Sequence, residues 1–220
     1  MLVKDAMTTN VVTVKESQSM LEAREILTMK NLISLPVVDD INRIRGIITI
    51  DDIGKASPSG ASTLSRYEAN YLLGRLKVRD VMGHNVITVP ADESIEYVAY
   101  KLYMARVNAL PVVDENNRLC GIISRSDLFR SFVELMNMDK PCTRITLLVP
   151  DKVGLLTEIT EYFKNDGINI ISLLTRQIGE GSSEITIRAD LTGKGLDIIE
   201  ELREAGYNVT DVMNLDSIYD

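Results

Sequence analysis

Apolar positions in this chain come in short blocks whose order repeats. Leu35, Pro36, Val37 and Val38 are followed by Asp39, a polar turn, and then Gly46, Ile47, Ile48 and Thr49 ahead of Asp52. Seventy-five residues later, Leu110, Pro111, Val112 and Val113 are followed by Asp114, a polar turn, and Gly121, Ile122, Ile123 and Ser124 ahead of Asp127. At that offset residues 3–53 and 78–128 agree at 21 of 51 positions without a gap, where unrelated chains of ordinary composition would agree at roughly three. The first part of the chain is an internal duplication.

Each copy reads as strand, helix, strand, strand, helix. Val11–Val14 and Val86–Val89 are strand-like. Met20, Ala23 and Leu27 then share a helical face, with Ser17 or Ser19 as the cap, and Ile95, Val98 and Leu102 repeat the spacing with Asp92 as the cap. The β-rich runs around Val37 and Ile47, and around Val112 and Ile122, flank turn residues and predict hairpins. A second helix leaves from Thr49 or Ser124. Between the copies Lys55–Ser62 is a turn-rich spacer, and 63–77 resumes a helical pattern with Leu64, Tyr67, Tyr71 and Leu72. Past the second copy the helix runs from Phe129 to Met138, until Asp139, Lys140 and Pro141 break it.

From Thr143 a different unit begins. Arg144–Val149 reads as a strand, Gly154–Lys164 as a helix with Gly167 as its stop, and Ile168–Thr175 as a strand before the turn Gly179, Glu180, Gly181. Glu184–Ala189, a helix through Leu196, Ile199 and Leu202, and Tyr207–Val212 complete a ferredoxin-like βαββαβ order. The expected fold class is α/β (α+β): residues 1–56 and 78–138 as two repeats, 57–77 as a linker with a helix, and 143–217 as a third domain.

Composition narrows the function. The 220 residues are 45% apolar, enough for packed cores, and carry 24 basic against 32 acidic side chains. That balance argues against a nucleic-acid partner or an anionic membrane surface. Apolar runs are strand-sized rather than membrane-sized, and Met1–Asp5 lacks the layout of a signal peptide, so a cytoplasmic location is expected. Two cysteines outside any CxxC, Cys120 and Cys142, read as bystanders in a reducing compartment. The one histidine, His84, reads as a loop residue, and no metal site is expected.

The chemistry-bearing positions are Thr49 with Asp52 and Ser124 with Asp127, each a hydroxyl at a strand-to-helix junction with an acid three residues on. Helix N-terminal amides and a hydroxyl suit a phosphate, and the acid can accept both hydroxyls of a ribose. The same spacing is also a capping box, which needs no ligand. Arg125 stands where the first copy has Ile50; either it pairs with a phosphate, so that the Asp127 cleft prefers the more highly phosphorylated ligand, or it is an exposed first-turn arginine.

The recurring array of a strand threonine (Thr13, Thr88), LPVVD, GII and T/SxxD resembles the CBS domain, and two copies resemble a tandem CBS pair, or Bateman module. The resemblance implies clefts for adenosine-containing ligands such as AMP, ADP, ATP or S-adenosylmethionine. It implies Asp52 and Asp127 on ribose, and Thr49 and Ser124 on phosphate. Thr13, Ile33, Leu35, Pro36, Thr88, Asn108, Leu110 and Pro111 would surround adenine. In the last unit Asp151, Lys152, Val153, Gly154, Leu155 followed by Asn169 and Ile170 resembles the ACT domain, with valine at the signature's usual proline. That implies a homodimer and an amino acid held by Asp151, Val153, Gly154, Leu155, Asn169 and Ile170; alternatively Asp151 only caps the helix. The combination resembles the acetoin-utilisation (AcuB) family.

The expected function is a non-enzymatic sensor with an adenine nucleotide as regulatory ligand, no required cofactor, an amino acid as a second ligand and an unidentified regulated protein. The competing expectation is a protein-interaction scaffold with no bound nucleotide.

Overall fold

The computed structural model describes residues 1–57, 65–191 and 197–215, in two compact units, Met1–Ser131 and Phe132–Asp220. Pro58–Ser62 of the expected spacer, Thr63, Leu64 and Leu196 lie outside the described residues.

In the first unit, α1 (Val3–Ala6), β1 (Val14–Lys15), α2 (Met20–Met29), β2 (Ser34–Val38), β3 (Ile44–Thr49) and α3 (Ile50–Ala56) form one copy. Helix α4 (Arg66–Arg75) follows. After a 3-10 turn at Val78–Asp80, β4 (Val89–Pro90), α5 (Ile95–Ala105), β5 (Ala109–Val113), β6 (Leu119–Ser124) and α6 (Arg125–Leu135) repeat the pattern. Each copy has a three-stranded sheet, β1-β2-β3 or β4-β5-β6, with the first pair parallel and the second antiparallel. The hairpin turns are built alike. Asp39 Oδ1 accepts from the amides of Ile41 and Arg43, and Asp114 Oδ1 from those of Asn116 and Arg118. Asn42 and Asn117 take the left-handed conformation, which asparagine tolerates.

The strands expected at Val11–Val14 and Val86–Val89 shrink to Val14–Lys15 and Val89–Pro90, because β2 and β5 offer pairing only at Val37–Val38 and Val112–Val113. The cap of α5 is Ser94 rather than Asp92: the Ser94 hydroxyl accepts from the Tyr97 amide at 3.2 Å. On α2 the cap is Ser19, in a reciprocal box with Glu22.

Each copy's leader packs into the other copy's core. Val3 and Ala6 join Val89, Ile95, Val98, Leu102 and Ile123, while Val78 and Met82 join Val14, Met20, Leu27, Leu35 and Ile48. Backbone ladders fix the exchange: Thr8 and Ile122 trade amide hydrogen bonds of 2.9 and 3.0 Å, as do Gly83 and Ile47. Gly46 and Gly121 allow it. A Cβ at Gly46 would meet Met82 Sδ at 2.5 Å and Cγ at 2.9 Å, and one at Gly121 would strike Met7 Sδ. The two turns also touch, the Leu119 amide donating to Asn42 O at 2.9 Å and the Ile44 amide to Asn117 O at 3.2 Å. Helix α4 lies over α2, with Leu73 in the first core and Arg24 donating to Asn70 Oδ1 at 2.7 Å.

The caps make stability sensitive to acid. Backbone and hydroxyl hydrogen bonds from Ser19 hold the Glu22 carboxyl below the ordinary glutamate range, and those of Ser65 do the same for Glu68. A carboxyl whose pKa is depressed on folding contributes stability above its unfolded pKa and loses it as pH falls through the folded value. The melting temperature should therefore drop as pH is lowered from about 4.5, where an unfolded glutamate takes up its proton. Ser19→Ala should flatten that dependence in a melting series across pH.

In the second unit, β7 (Thr143–Pro150), α7 (Leu155–Asn165), β8 (Ile170–Gln177), β9 (Ser182–Ala189), α8 (Asp197–Glu204) and β10 (Asn208–Asn214) give the βαββαβ order, with sheet order β10-β7-β9-β8, antiparallel throughout. Ile145, Leu147, Val149, Ile185 and Ile187 pack under Leu155, Ile159 and Phe163 of α7 and Ile198, Ile199 and Leu202 of α8. Among the described residues no helix is long and apolar enough to cross a membrane.

Candidate functional site

The two hydroxyl-and-acid corners are capping boxes in the structure. Thr49 N and Oγ1 donate to Asp52 Oδ2 at 2.9 and 2.6 Å, and the Asp52 amide returns to Thr49 Oγ1 at 3.2 Å. Ser124 and Asp127 repeat the three distances. One oxygen of each acid is thus committed to its own main chain. The second oxygen of Asp127 accepts from Arg130 Nη2 at 2.6 Å. Neither the box nor the ion pair closes the space beside Asp127.

That space is a cleft of about 320 Å³, within the range of small-molecule sites. The second repeat contributes Asn108, Ala109, Ile122, Ser124, Ser126 and Asp127. The first contributes Thr8 and Asn10–Val12 from its leader and Asn31–Ser34 ahead of β2. The exchange of leaders is what carries Thr8 there, because its ladder with Ile122 lays the first repeat's N-terminal segment beside the second repeat's acid corner. Val12, Ile33 and Ile122 form an apolar wall suited to a flat heterocycle, and the N-terminus of α6 with the hydroxyls of Ser124 and Ser126 suits an anion.

Of the residues singled out in the sequence, Ile33, Asn108, Ser124 and Asp127 meet in this cleft. Leu35 and Leu110 are core residues, Pro36 and Pro111 are buried within their strands, and none of the four lines this cleft. Thr13 is not part of the cleft, and Thr88 lines a different one. Thr49 and Asp52 form the equivalent corner of the first repeat and also stand apart from it. Arg125 is exposed and outside the lining; its amide donates to Asn108 O at 3.0 Å. The guanidinium on the acid belongs to Arg130, one helical turn beyond Asp127. Thr8, Asn10, Asn31, Ser126 and Arg130 went unnoticed in the sequence, and the i, i+3 spacing of Asp127 and Arg130 is the signal that could have found the last.

In the second unit, Asp151, Gly154 and Leu155 line a depression of about 280 Å³ with Thr175 and Ser183. Val153 points fully into solvent. Asn169 and Ile170 are elsewhere: Ile170 pairs with Ala189, which pairs with Thr143, while Pro150 beside Asp151 pairs with Ser182. These eight-residue strands separate the two groups by roughly 20 Å, so one chain does not assemble the six-residue amino-acid site. Nor does Asp151 cap α7. Gly154 occupies the cap position at φ 88°, without a side-chain cap. Lys152 Nζ pairs with Glu158 Oε2 at 2.8 Å, and the hydrogen bond raises the lysine pKa and lowers that of the glutamate.

A family model described as the CBS domain matches residues 3–59 and 78–134. The L-aspartate semialdehyde sulfurtransferase of Methanocaldococcus jannaschii is 34% identical over 131 residues, 60% of this chain but 23% of that protein, so the chain spans less than a quarter of this relative. A solved CBS domain pair in complex with 5'-methylthioadenosine and S-adenosyl-L-methionine is 32% identical, with a TM-score of 0.50, covering 61% of this chain and 97% of that one. The protein CBSX2 in complex with AMP is 28% identical at a TM-score of 0.53, covering 61% and 97%. An acetoin utilization protein (AcuB) from Vibrio cholerae, 22% identical at a TM-score of 0.53 and covering 63% and 95%, shares the fold.

Proposed function

The chain belongs to the CBS domain family, and from that membership we propose that it is a regulatory sensor whose Asp127 cleft takes an adenosine-containing ligand. The observation that carries this reading is the meeting, in one cleft, of an apolar wall and a hydroxyl-and-acid corner contributed by different repeats. Adenine lies against Val12 and Ile33, the ribose diol on Asp127, and the phosphate toward Ser124 and Ser126. The occupied relatives, one with S-adenosyl-L-methionine and one with AMP, support the ligand class. By internal symmetry Thr49 and Asp52 serve a second site.

In this proposal residues 1–56 and 78–138 are the repeats, 57–77 their linker, and 143–217 an ACT domain, supported by the βαββαβ order and the loop at Gly154. Its amino-acid ligand, if bound by Asp151, Gly154, Leu155 and Asn169, requires a second copy, since one chain holds these residues at opposite ends of the sheet. The protein performs no catalysis, acts in the cytoplasm as a homodimer and needs no cofactor. Its link to acetoin utilisation rests on the fold of the AcuB relative alone.

Calorimetry with AMP, ADP, ATP and S-adenosylmethionine tests the reading. At least one should bind saturably, and at a hundred times its dissociation constant should stabilise the chain by about 2.7 kcal/mol in thermal melts. The capping boxes, which occupy one oxygen of each acid, favour the scaffold as the second reading. A silent panel would favour it.

A further inference from the structure

The duplication exposes one place where the two repeats have diverged in charge rather than in shape. In the first repeat, two cations converge on the hairpin turn. Lys15 Nζ donates to the carbonyl of Asp39 and lies 3.6 Å from Asp40 Oδ1, while Arg45 Nε sits 3.1 Å from Asp39 Oδ2. In the second repeat the equivalent residues are Pro90, Asp114, Glu115 and Cys120. The turn itself is kept, Asp114 Oδ1 accepting from the amides of Asn116 and Arg118 at 2.9 and 2.8 Å as Asp39 Oδ1 does from its own turn. Both cations are gone. Where their side chains would stand is a cleft of about 410 Å³, lined by these four residues together with Thr88 and Asp92. Lys4 also lines it, as a single cation against three carboxylates.

We propose that this cleft binds a short organic dication, an aminoalkylguanidine or an alkyl diamine. Its guanidinium or first ammonium meets the Asp114 carboxylate, as Arg45 meets Asp39, and its ammonium lies between the Asp114 carbonyl and Glu115, as Lys15 does at Asp39 and Asp40. The first repeat is the reference for this assignment, since the same acid at the same turn accepts there from a guanidinium, Arg45 Nε to Asp39 Oδ2, a group well matched to a carboxylate. The site is separate from the Asp127 cleft and does not depend on nucleotide binding.

Calorimetry of the full chain with agmatine at physiological salt tests it. One saturable site is expected. Cys120→Arg, which restores the guanidinium of the first repeat at the equivalent, half-buried strand position, should weaken binding by about tenfold or more. Asp114→Asn, which removes the charge but keeps an oxygen for the turn amides, should do the same. Absence of saturation in the unmodified chain overturns the proposal, and so does unchanged affinity in both variants, which would mean that cations gather over the acidic surface at large. Amide chemical shifts of the unmodified chain supply a readout that needs no variant. Agmatine-induced changes confined to 88–92 and 113–120 support the site, and changes scattered over the chain overturn it.

Discussion

Replacing Asp127 by alanine is expected to weaken binding of an adenine nucleotide by about ten- to a hundredfold, the worth of hydrogen bonds to a charged acceptor of about 1.5–3 kcal/mol. The substitution removes three things at once: the acceptor in the cleft, the acid half of the Ser124 capping box, and the partner of Arg130. Loss of the cap costs about 1 kcal/mol of stability, so a melt alone would not separate ligand from fold. Ser124→Ala provides the separation. It also breaks the box but leaves the Asp127 carboxylate in place, so it should lower the melting temperature similarly with a smaller loss of affinity. Calorimetry on both variants decides the matter, and an Asp127→Ala chain that binds as tightly as the unmodified one would exclude Asp127 as a ligand group.

The largest effect on stability is expected at the crossing of the repeats. Met82 is buried against the first repeat although it belongs to the leader of the second. Truncation to alanine should cost about 2–5 kcal/mol, a large share of the 5–15 kcal/mol that typically holds a domain. Gly46→Ala should cost about 1–3 kcal/mol by overpacking, because the new Cβ has no room beside Met82 Sδ at 2.5 Å. The informative measurement is the double variant. Once Met82 is shortened, the Gly46→Ala methyl group gains space, and the pair should cost less than the sum of the two single changes in denaturant titrations. Strict additivity would mean that the glycine is required by something other than the methionine, such as the Gly83 carbonyl at 3.0 Å.

How much of this was legible in the sequence depends on the range of the signal. The stripes of Met20, Ala23 and Leu27, and of Ile95, Val98 and Leu102, are local periodicities, and all six side chains are buried. The hairpins follow from turn residues between β-rich runs. The cap of α5 was misplaced because Asp92 and Ser94 are both good caps and only the register of the helix chooses between them. The site was half legible. The acid corners announce themselves, but LPVVD reads equally as cleft or core, and β2 and β5 are buried along most of their length, which takes Leu35 and Leu110 into the core, while Ile33 and Asn108, just ahead of the strands, line the cleft. The contribution of Thr8–Val12 was not legible at all, since a repeat read by itself cannot say that its leader crosses to the neighbouring copy. That one chain does not gather the amino-acid residues has a related reason: Gly154 and Asn169 are near in sequence, and an intervening helix delivers them to opposite ends of the strands.

The crossed leaders also bear on how this part of the molecule comes apart. A fragment ending near Ala56 would lack Val78 and Met82, and a fragment beginning near Val78 would lack Val3 and Ala6, leaving a hole in either core. The halves are therefore not separable modules, and residues 1–131 should melt in a single transition. A backbone nick between them should be tolerated only while both pieces stay together, each acting as the other's folding partner.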